Sequence, residues 1–408
     1  MDFILLNNNL RYDKISCNVV DQFKIKKIIF GSGGSNNIIL DVDDLNKNNK
    51  LIIKIIPDFI YFNVKIKPNH DQLEIKFYQF FTKKYLLTAR TPHIVGIYSY
   101  QKCSQIDKLL KKIAPDTKIC PSYEDRLRRK IKPNIVNEKL CDLLLQHEMK
   151  ILGPDYDIVL LEYCPYELRG VIQWHLYQIK NSKRKQLYHV INNFIHELNR
   201  ILFQTIFTLA IIKDDYPGFL HGDFFVRNIL ISYEDTYELN DFVAYYYKQR
   251  IFYLPANGPY SKFNDFGLSV IANEIEPNTY EFEKILNKLY HRNPFNQKSD
   301  IFNLLHDIYD GQNLGTSSIN RWAVELGISS ETIKPIRKFL NNFIKVNTID
   351  QINGNNSMLL DDTWNIDGIK ILEDTVATPN EYLTKKYFTS LQTLPKEAKI
   401  IRHFNKPM

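Results

Sequence analysis

Cysteine is scarce and carries no pairing pattern in this sequence of 408 residues. Cys17, Cys103, Cys120, Cys141 and Cys164 are odd in number and far apart, and none forms a Cys-x-x-Cys pair. Neither a zinc site nor a disulfide framework is therefore expected, and a reducing compartment is. Blocks of five or six like charges are missing too. The 53 basic and 46 acidic residues leave a net charge of +7 spread along the chain, which is compatible with phosphorylated ligands or acidic partners and gives no ground for nucleic-acid binding. No apolar run reaches the length of a bilayer span. The longest, Ile201 to Ile212, has twelve residues between Arg200 and Lys213, where about 20 are needed, so a buried helix is expected there. The first residues have no basic flank and too short an apolar run for a signal peptide. No internal repeat, no low-complexity domain and no Gly-Lys-Ser/Thr phosphate loop is found.

What is present is ordinary globular material, 44% apolar and 24% charged, in a chain long enough for two lobes with separate cores. Residues 24–100 alternate as strands around one helix. KIKKIIF leads into a Gly/Ser/Asn turn at 31–37, IIL resumes the strand, and LIIKII is a β-branched run of strand length. DQLEIKFYQFF has helical spacing, with Leu73, Phe77 and Phe80/Phe81 on one face. Residues 101–155, rich in Lys, Asp and Pro, read as an insertion before the strand DIVLLEY at 157–163. From about 166 the pattern is helical. Leu187, Val190, Ile191, Phe194, Ile195, Leu198, Ile201 and Leu202 recur every three or four residues, the stripe of a long core helix. The expected organisation is an extension at 1–23, a β-rich lobe at 24–163 with the insertion 101–155, an α-rich lobe at 164–345, and an extension at 346–408 packing on that lobe or on a partner.

Four groups of residues carry chemistry. Gly31, Ser32 and Gly33 lie in a turn between two strands, with Ile38 beginning the second; glycines there let backbone amides approach phosphate oxygens. Taken alone this is a hairpin turn. Lys54 ends the apolar strand LIIK, and Glu74 follows twenty residues later on the amphipathic helix. A strand lysine with a helix glutamate is a phosphate-positioning pair in kinases, although either residue alone is ordinary surface. His221-Gly222-Asp223-Phe-Phe-Val-Arg227-Asn228 follows the long helix and precedes the strand ILI. It offers one carboxylate to orient an acceptor hydroxyl and, five residues on, one amide oxygen for a metal ion; the bland alternative is an Asx-type turn. Asn264-Asp265-Phe266-Gly267 supplies a second carboxylate for Mg²⁺.

In this order the motifs resemble the protein-kinase superfamily over roughly residues 24–345, which implies an α+β, bilobal fold with a β-rich N-lobe and an α-rich C-lobe. The resemblance implies ATP with Mg²⁺ or Mn²⁺ as cofactors, Asp223 as general base, Asn228 and Asp265 as metal ligands, and Lys54 with Glu74 on the phosphates. Ile158-Val-Leu-Leu161-Glu162-Tyr-Cys164 looks like the fifth strand and hinge, with Leu161 as gatekeeper and backbone groups of Glu162 and Cys164 receiving adenine. Ser299-Asp300 looks like the helix start whose aspartate braces the catalytic loop.

Departures accompany the match. Asn36 stands where a third glycine is usual, and Gly222 replaces the usual arginine, which removes the pocket that senses activation-loop phosphate. Phe225 stands where serine/threonine kinases carry lysine, and Arg227 where tyrosine kinases carry arginine, so hydroxyl specificity stays open. No Ala-Pro-Glu follows the second motif. The 37 residues from Asn228 to Asp265 include what reads as an elongated hairpin with a Pro-x-x-Gly turn. That hairpin, the His-Gly-Asp loop and the Asn/Ile-rich composition resemble the virion kinases of poxviruses and other large DNA viruses. The implied function is phosphorylation of Ser/Thr on viral structural proteins during particle assembly, in the host cytoplasm (the viral factory) and in the virion, with no nucleic acid and no transmembrane segment. A small-molecule phosphotransferase of the His-Gly-Asp type and a pseudokinase scaffold remain as alternatives.

Overall fold

The computed structural model describes residues 15–30, 37–45, 49–59, 70–113, 135–275, 297–309, 319–345 and 376–407. They group into two compact units, one drawn from 2–66 and 96–163, the other from 67–95 and 164–408. The first unit is built on a sheet. It opens with the single turn α1 (Val19–Gln22) and continues through β1 (Phe23–Phe30), β2 (Ile38–Asp44) and β3 (Lys50–Phe59). The chain then leaves it for α2 (His70–Phe81), which belongs to the second unit, and returns with β4 (Ile97–Ser104), α3 (Ile106–Ile113), α4 (Ile135–Glu148) and β5 (Leu152–Glu162).

The five strands are antiparallel throughout, in the order β1-β2-β3-β5-β4. Successive side chains of a strand point to opposite faces. Ile38, Leu40 and Val42 of β2, Leu51, Ile53 and Ile55 of β3, and Ile158 and Leu160 of β5 share one core with Leu109 and Leu110 of α3 and Leu140 of α4. Each such side chain withdrawn from water contributes about 1.5–3 kcal/mol before the entropy of ordering is subtracted. Residues 101–155 thus begin inside β4 and end inside β5, and the helices between those strands cover one face of the sheet. Lys54 alternates onto the opposite face, with Ile39 and Val159 as its neighbours in register.

A disulfide joins Cys17, before β1, to Cys103 on β4, and Cys141 on α4 is also disulfide-bonded. This corrects the expectation of unpaired cysteines. The two residues are 86 apart in sequence, yet the fold brings their Cα atoms to 5.6 Å, within bridging range. No local spacing rule reports a bridge of that kind.

The second unit is mostly helical. After α2 it contains β6 (Tyr166–Glu167), α5 (Leu168–Asn181), α6 (Arg184–Asp215), β7 (Phe219–Leu220), β8 (Ile229–Glu234), β9 (Asp241–Tyr247), β10 (Arg250–Pro255), β11 (Gly258–Phe263) and β12 (Val270–Ile271). Helices α7 (Ser299–Tyr309), α8 (Ile319–Glu325), α9 (Ser330–Leu340) and α10 (Pro379–Thr384) follow, and then β13 (Lys399–Phe404). Helix α6 is the axis of the unit. By length and composition it could cross a membrane, but 78% of its apolar stretch is buried among the other elements, as in a core helix that is apolar on all sides.

The segment between β8 and β11 differs from the expected single hairpin. β8 pairs with β11, and between them β9 and β10 form a hairpin of their own, whose tip holds Lys248 at φ 52°. Pro255 and Gly258 carry the chain from one ladder to the other and are not the tip; Gly258, at φ 109°, lies against the Arg200 guanidinium. Composition alone does not separate one long ladder from two nested ones. β13 adds to β9 in parallel, and α10, opened by a Thr378–Glu381 capping box, packs on α6. Residues 376–407 are therefore part of this unit, while Trp364 lies outside the described residues.

Candidate active site

Between β7 and a 3-10 turn at Val226–Asn228, the chain forms a loop whose backbone is held from below. The N–H of His221 donates to both carboxylate oxygens of Asp300, at 3.1 and 3.2 Å. Asp300 is fully buried, and Lys213, at the end of α6, is its counter-ion: Nζ lies 3.2 Å from Oδ2 and also donates to the carbonyl of Phe219. His221 is buried against Phe224 and Phe266. Burial lowers its pKa, and its Nε2 lies 3.0 Å from the Asn264 carbonyl. A carbonyl can only accept, so Nε2 carries a proton and donates it to Asn264.

Gly222 accounts for one departure from the kinase pattern. Its φ is +82°, and a Cβ there would lie 2.3 Å from the backbone oxygen of Leu268, just past the Asp-Phe-Gly motif. The His221–Asp223 loop and the segment after Asp265-Phe-Gly pass too close at this point for any side chain.

Asp223 is clamped by its own loop. Oδ1 accepts Nη2 of Arg227 at 2.6 Å and Oδ2 accepts Nδ2 of Asn228 at 2.6 Å. Nδ2 of Asn228 also reaches the Asp223 carbonyl at 2.7 Å. With its nitrogen spent on Asp223, Asn228 has its carbonyl oxygen as the end suited to a cation. The Arg227 guanidinium lies 5.0 Å over the Phe225 ring, so the phenylalanine that replaces lysine supports the arginine two positions on. Glu167 is raised by its own burial, against which Arg169 and then Arg227 pull it down.

The second motif is tied to the first. Asn264 N–H donates to the Asn228 carbonyl at 3.1 Å, while the Asn264 carbonyl takes the His221 ring. Asp265 sits at φ 62°, a left-handed backbone uncommon for a residue with a side chain and a recurrent form of strain at functional sites. Phe266 is fully buried, with ring centroids 5.0 Å from Phe81, 5.1 Å from His221, 5.3 Å from Tyr78 and 5.9 Å from Phe77. The Tyr78 hydroxyl donates to Asn264 Oδ1 and accepts the Asp265 N–H. Burial, and then the Glu74 carboxylate one turn back on α2, push that phenol well above its ordinary range. Tyr78, Lys213 and Asp307 were not singled out by motif reasoning. The signal available for Tyr78 was its place four residues after Glu74, on the same helix face.

Asp223, Arg227 and Asn228 are thus one hydrogen-bonded constellation, tied through the Asn264 N–H to the segment that carries Asp265, whose own N–H is held by Tyr78. Ile38, Lys54 and Glu162 belong to the sheet unit, and Cys164, which is in no disulfide, to the helical one. Glu162 ends β5, where its Oε2 accepts the Gly96 N–H and its own N–H donates to the Gly96 carbonyl. Gly31, Ser32 and Gly33 lie outside the described residues. Among the described residues no group of three or more His, Cys, Asp or Glu side chains is placed to hold a metal ion. One carboxylate and one amide oxygen, completed by phosphate oxygens and water, is the donor set Mg²⁺ commonly takes.

No protein-family model matches the chain. A protein of Acanthamoeba polyphaga mimivirus described as "Putative serine/threonine-protein kinase R301" is 48% identical over 412 aligned residues, covering 100% of both chains. A solved structure, "Crystal structure of PF14_0431, kinase domain", overlaps 63% of this chain and 53% of its own at 10% identity and a TM-score of 0.30, too slight a likeness to bear on the assignment. Full-length identity of that order is decisive: the chain belongs to the protein kinase superfamily, among the kinases of large DNA viruses that the mimivirus protein represents.

Proposed function

We propose that this chain is an ATP-dependent kinase of protein Ser/Thr hydroxyls, acting on structural proteins of a virus particle during assembly. The observation that carries the proposal is the clamped carboxylate of Asp223, held by Arg227 on one oxygen and Asn228 on the other. A carboxylate fixed in this way orients an acceptor hydroxyl and takes its proton as the oxygen bonds to the γ-phosphorus and the bond to the β–γ bridging oxygen breaks, ADP being the leaving group. MgATP, when bound, supplies the phosphoryl group and the cation that offsets its charge. The Asn228 carbonyl oxygen and the Asp265 carboxylate are assigned to hold the cation. Arg227 is assigned the positive charge that serine/threonine kinases take from a lysine at position 225. Lys54 and Glu74 are assigned to securing the phosphates, Gly31, Ser32, Gly33 and Ile38 to covering them, and backbone groups of Glu162 and Cys164 to adenine.

The Ser/Thr preference is supported by the name of the mimivirus relative. Arg227 is the one feature that points toward tyrosine, so phosphoamino-acid analysis is the deciding measurement. Gly222 has a steric explanation in Leu268, and the His-Gly-Asp sequence therefore does not by itself favour a small-molecule kinase. The host cytoplasm and the virion are the proposed sites of action. Purified protein given MgATP labelled at the γ-phosphate and casein should transfer label to serine and threonine, and Asp223→Ala should abolish transfer while keeping its fold. Full activity in Asp223→Ala would remove that residue from its role, and label on small alcohols alone would replace the protein-kinase assignment.

A further inference from the structure

Helix α7 carries two buried carboxylates, Asp300 and Asp307, seven residues apart and so on one face of the helix. The first takes the backbone N–H of His221 at the start of the catalytic loop. The second, through Oδ2, takes the backbone N–H of Val226 near its end, at 2.9 Å. Only the first is called for by the kinase pattern. The rest of the loop closes on itself: Phe225 N–H donates to the Asp223 carbonyl, Asn228 N–H to the Phe225 carbonyl, and the Asn228 amide to Asp223. Val226 N–H is the amide in that turn which reaches out to a separate helix.

We propose that Asp307 is a positioning residue for phosphoryl transfer. By holding Val226 it fixes the 3-10 turn that presents Arg227 and Asn228, and through them the angle of the Asp223 carboxylate. Asp307 touches neither substrate nor reacting atoms and moves no proton. The physical basis is the strength of a charge-assisted hydrogen bond in a buried setting, set against an N–H left without an acceptor when the carboxylate is removed. Small displacements of a catalytic group are costly in rate. The inference rests on the protein-kinase reading of the Asp223 loop.

The test is a double-mutant cycle on the full chain, with steady-state kinetics on MgATP and casein. Asp307→Leu removes the acceptor. Val226→Pro removes the donor, and proline suits the site: position 226 opens the 3-10 turn, and Phe225 before it has the extended backbone (φ −119°, ψ 166°) favoured ahead of proline. Asp307→Leu is expected to lower kcat about tenfold, with KM for MgATP within about twofold. In the Val226→Pro background the same substitution should change kcat by less than about twofold, since the interaction is already gone. An equal loss in both backgrounds overturns the proposal. Should Asp307→Leu not fold, Asp307→Asn decides: its amide oxygen still accepts from Val226, so kcat should stay within about threefold, and a loss as deep as that of Asp223→Asn overturns the role. The two levels separate cleanly. An inactive wild type, or a fully active Asp223→Asn, defeats the kinase reading and this inference with it. An active wild type, a dead Asp223→Asn and no coupling between 226 and 307 defeat the inference alone.

Discussion

The hydroxyl of Tyr78 donates to Asn264 Oδ1 at 2.6 Å and accepts the Asp265 N–H at 3.3 Å. One phenol on α2 therefore holds both Asn264 and Asp265, the second of which is in a left-handed backbone conformation and is the proposed metal ligand. Tyr78→Phe keeps the ring packing on Phe266 and deletes only the hydroxyl. We expect the Mg²⁺ concentration for half-maximal activity to rise about tenfold, as for loss of a partner that orients a metal ligand. An unchanged Mg²⁺ titration would show that Asp265 holds its conformation without help.

Replacing Gly222 should be poorly tolerated. Its φ of +82° disfavours any side chain, and a Cβ would meet the Leu268 oxygen at 2.3 Å. Gly222→Ala and Gly222→Arg are both expected to destabilise the protein by about 3 kcal/mol or more, from backbone strain and overpacking together. Denaturant midpoints measure this. A stable and active Gly222→Arg would mean that the loop and the metal motif are free to separate.

Asn405, just past β13, is a tether for the loop that follows α2. Its Oδ1 accepts Nε of Arg90 at 2.7 Å, its N–H donates to the Ala89 carbonyl, and its Nδ2 donates to the Tyr246 carbonyl. Arg90 in turn pairs with Asp215 at 2.7 Å. Asn405→Ala should cost about 1–3 kcal/mol by stranding these partners, read as a lower denaturant midpoint. A variant as stable as the wild type would reduce the tether to a surface contact.

His93 should make the helical unit acid-sensitive. Its ring is buried between the Ser261 carbonyl and the Tyr245 hydroxyl. Burial, and then the charge of Lys262, hold its pKa well below the ordinary 6.5. The folded value is the lower one, so the unfolded chain binds the proton first. The stability that follows is complete above about pH 6.5 and is lost as pH falls from there toward the folded value, at up to about 1.4 kcal/mol per pH unit. Unfolding free energy measured between pH 7 and pH 5 should fall less steeply in His93→Gln than in the wild type. Parallel curves would assign the sensitivity to other groups.

Much of the candidate site can be proposed from sequence because it is local. Asp223 and Asn228 are five residues apart in one loop, Asp265 stands in a tripeptide, and the apolar stripe of α6 repeats at helical spacing. What was not legible is tertiary. Nothing in sequence spacing joins Tyr78 to Asn264, Lys213 to Asp300, or Asp307 to Val226, since each pair meets only after its elements have packed. In sequence Gly222 reads as a lost arginine; the Leu268 oxygen that excludes a side chain there is a tertiary neighbour. The segment after Asn228 read as one hairpin because alternation marks a strand without naming its partner; β9 pairs with β10 and also with β13, from more than 150 residues later in the chain.

The bridge between Cys17 and Cys103 has a further consequence. It closes a loop spanning 86 residues, and in the chain-entropy picture such a closure favours the folded state by about 4–5 kcal/mol. That is a sizeable share of what an average domain has in hand. The durability of the sheet unit is then no fixed property of the polypeptide but follows the thiol–disulfide balance around it, firm where electrons are scarce and far looser in a glutathione-rich setting.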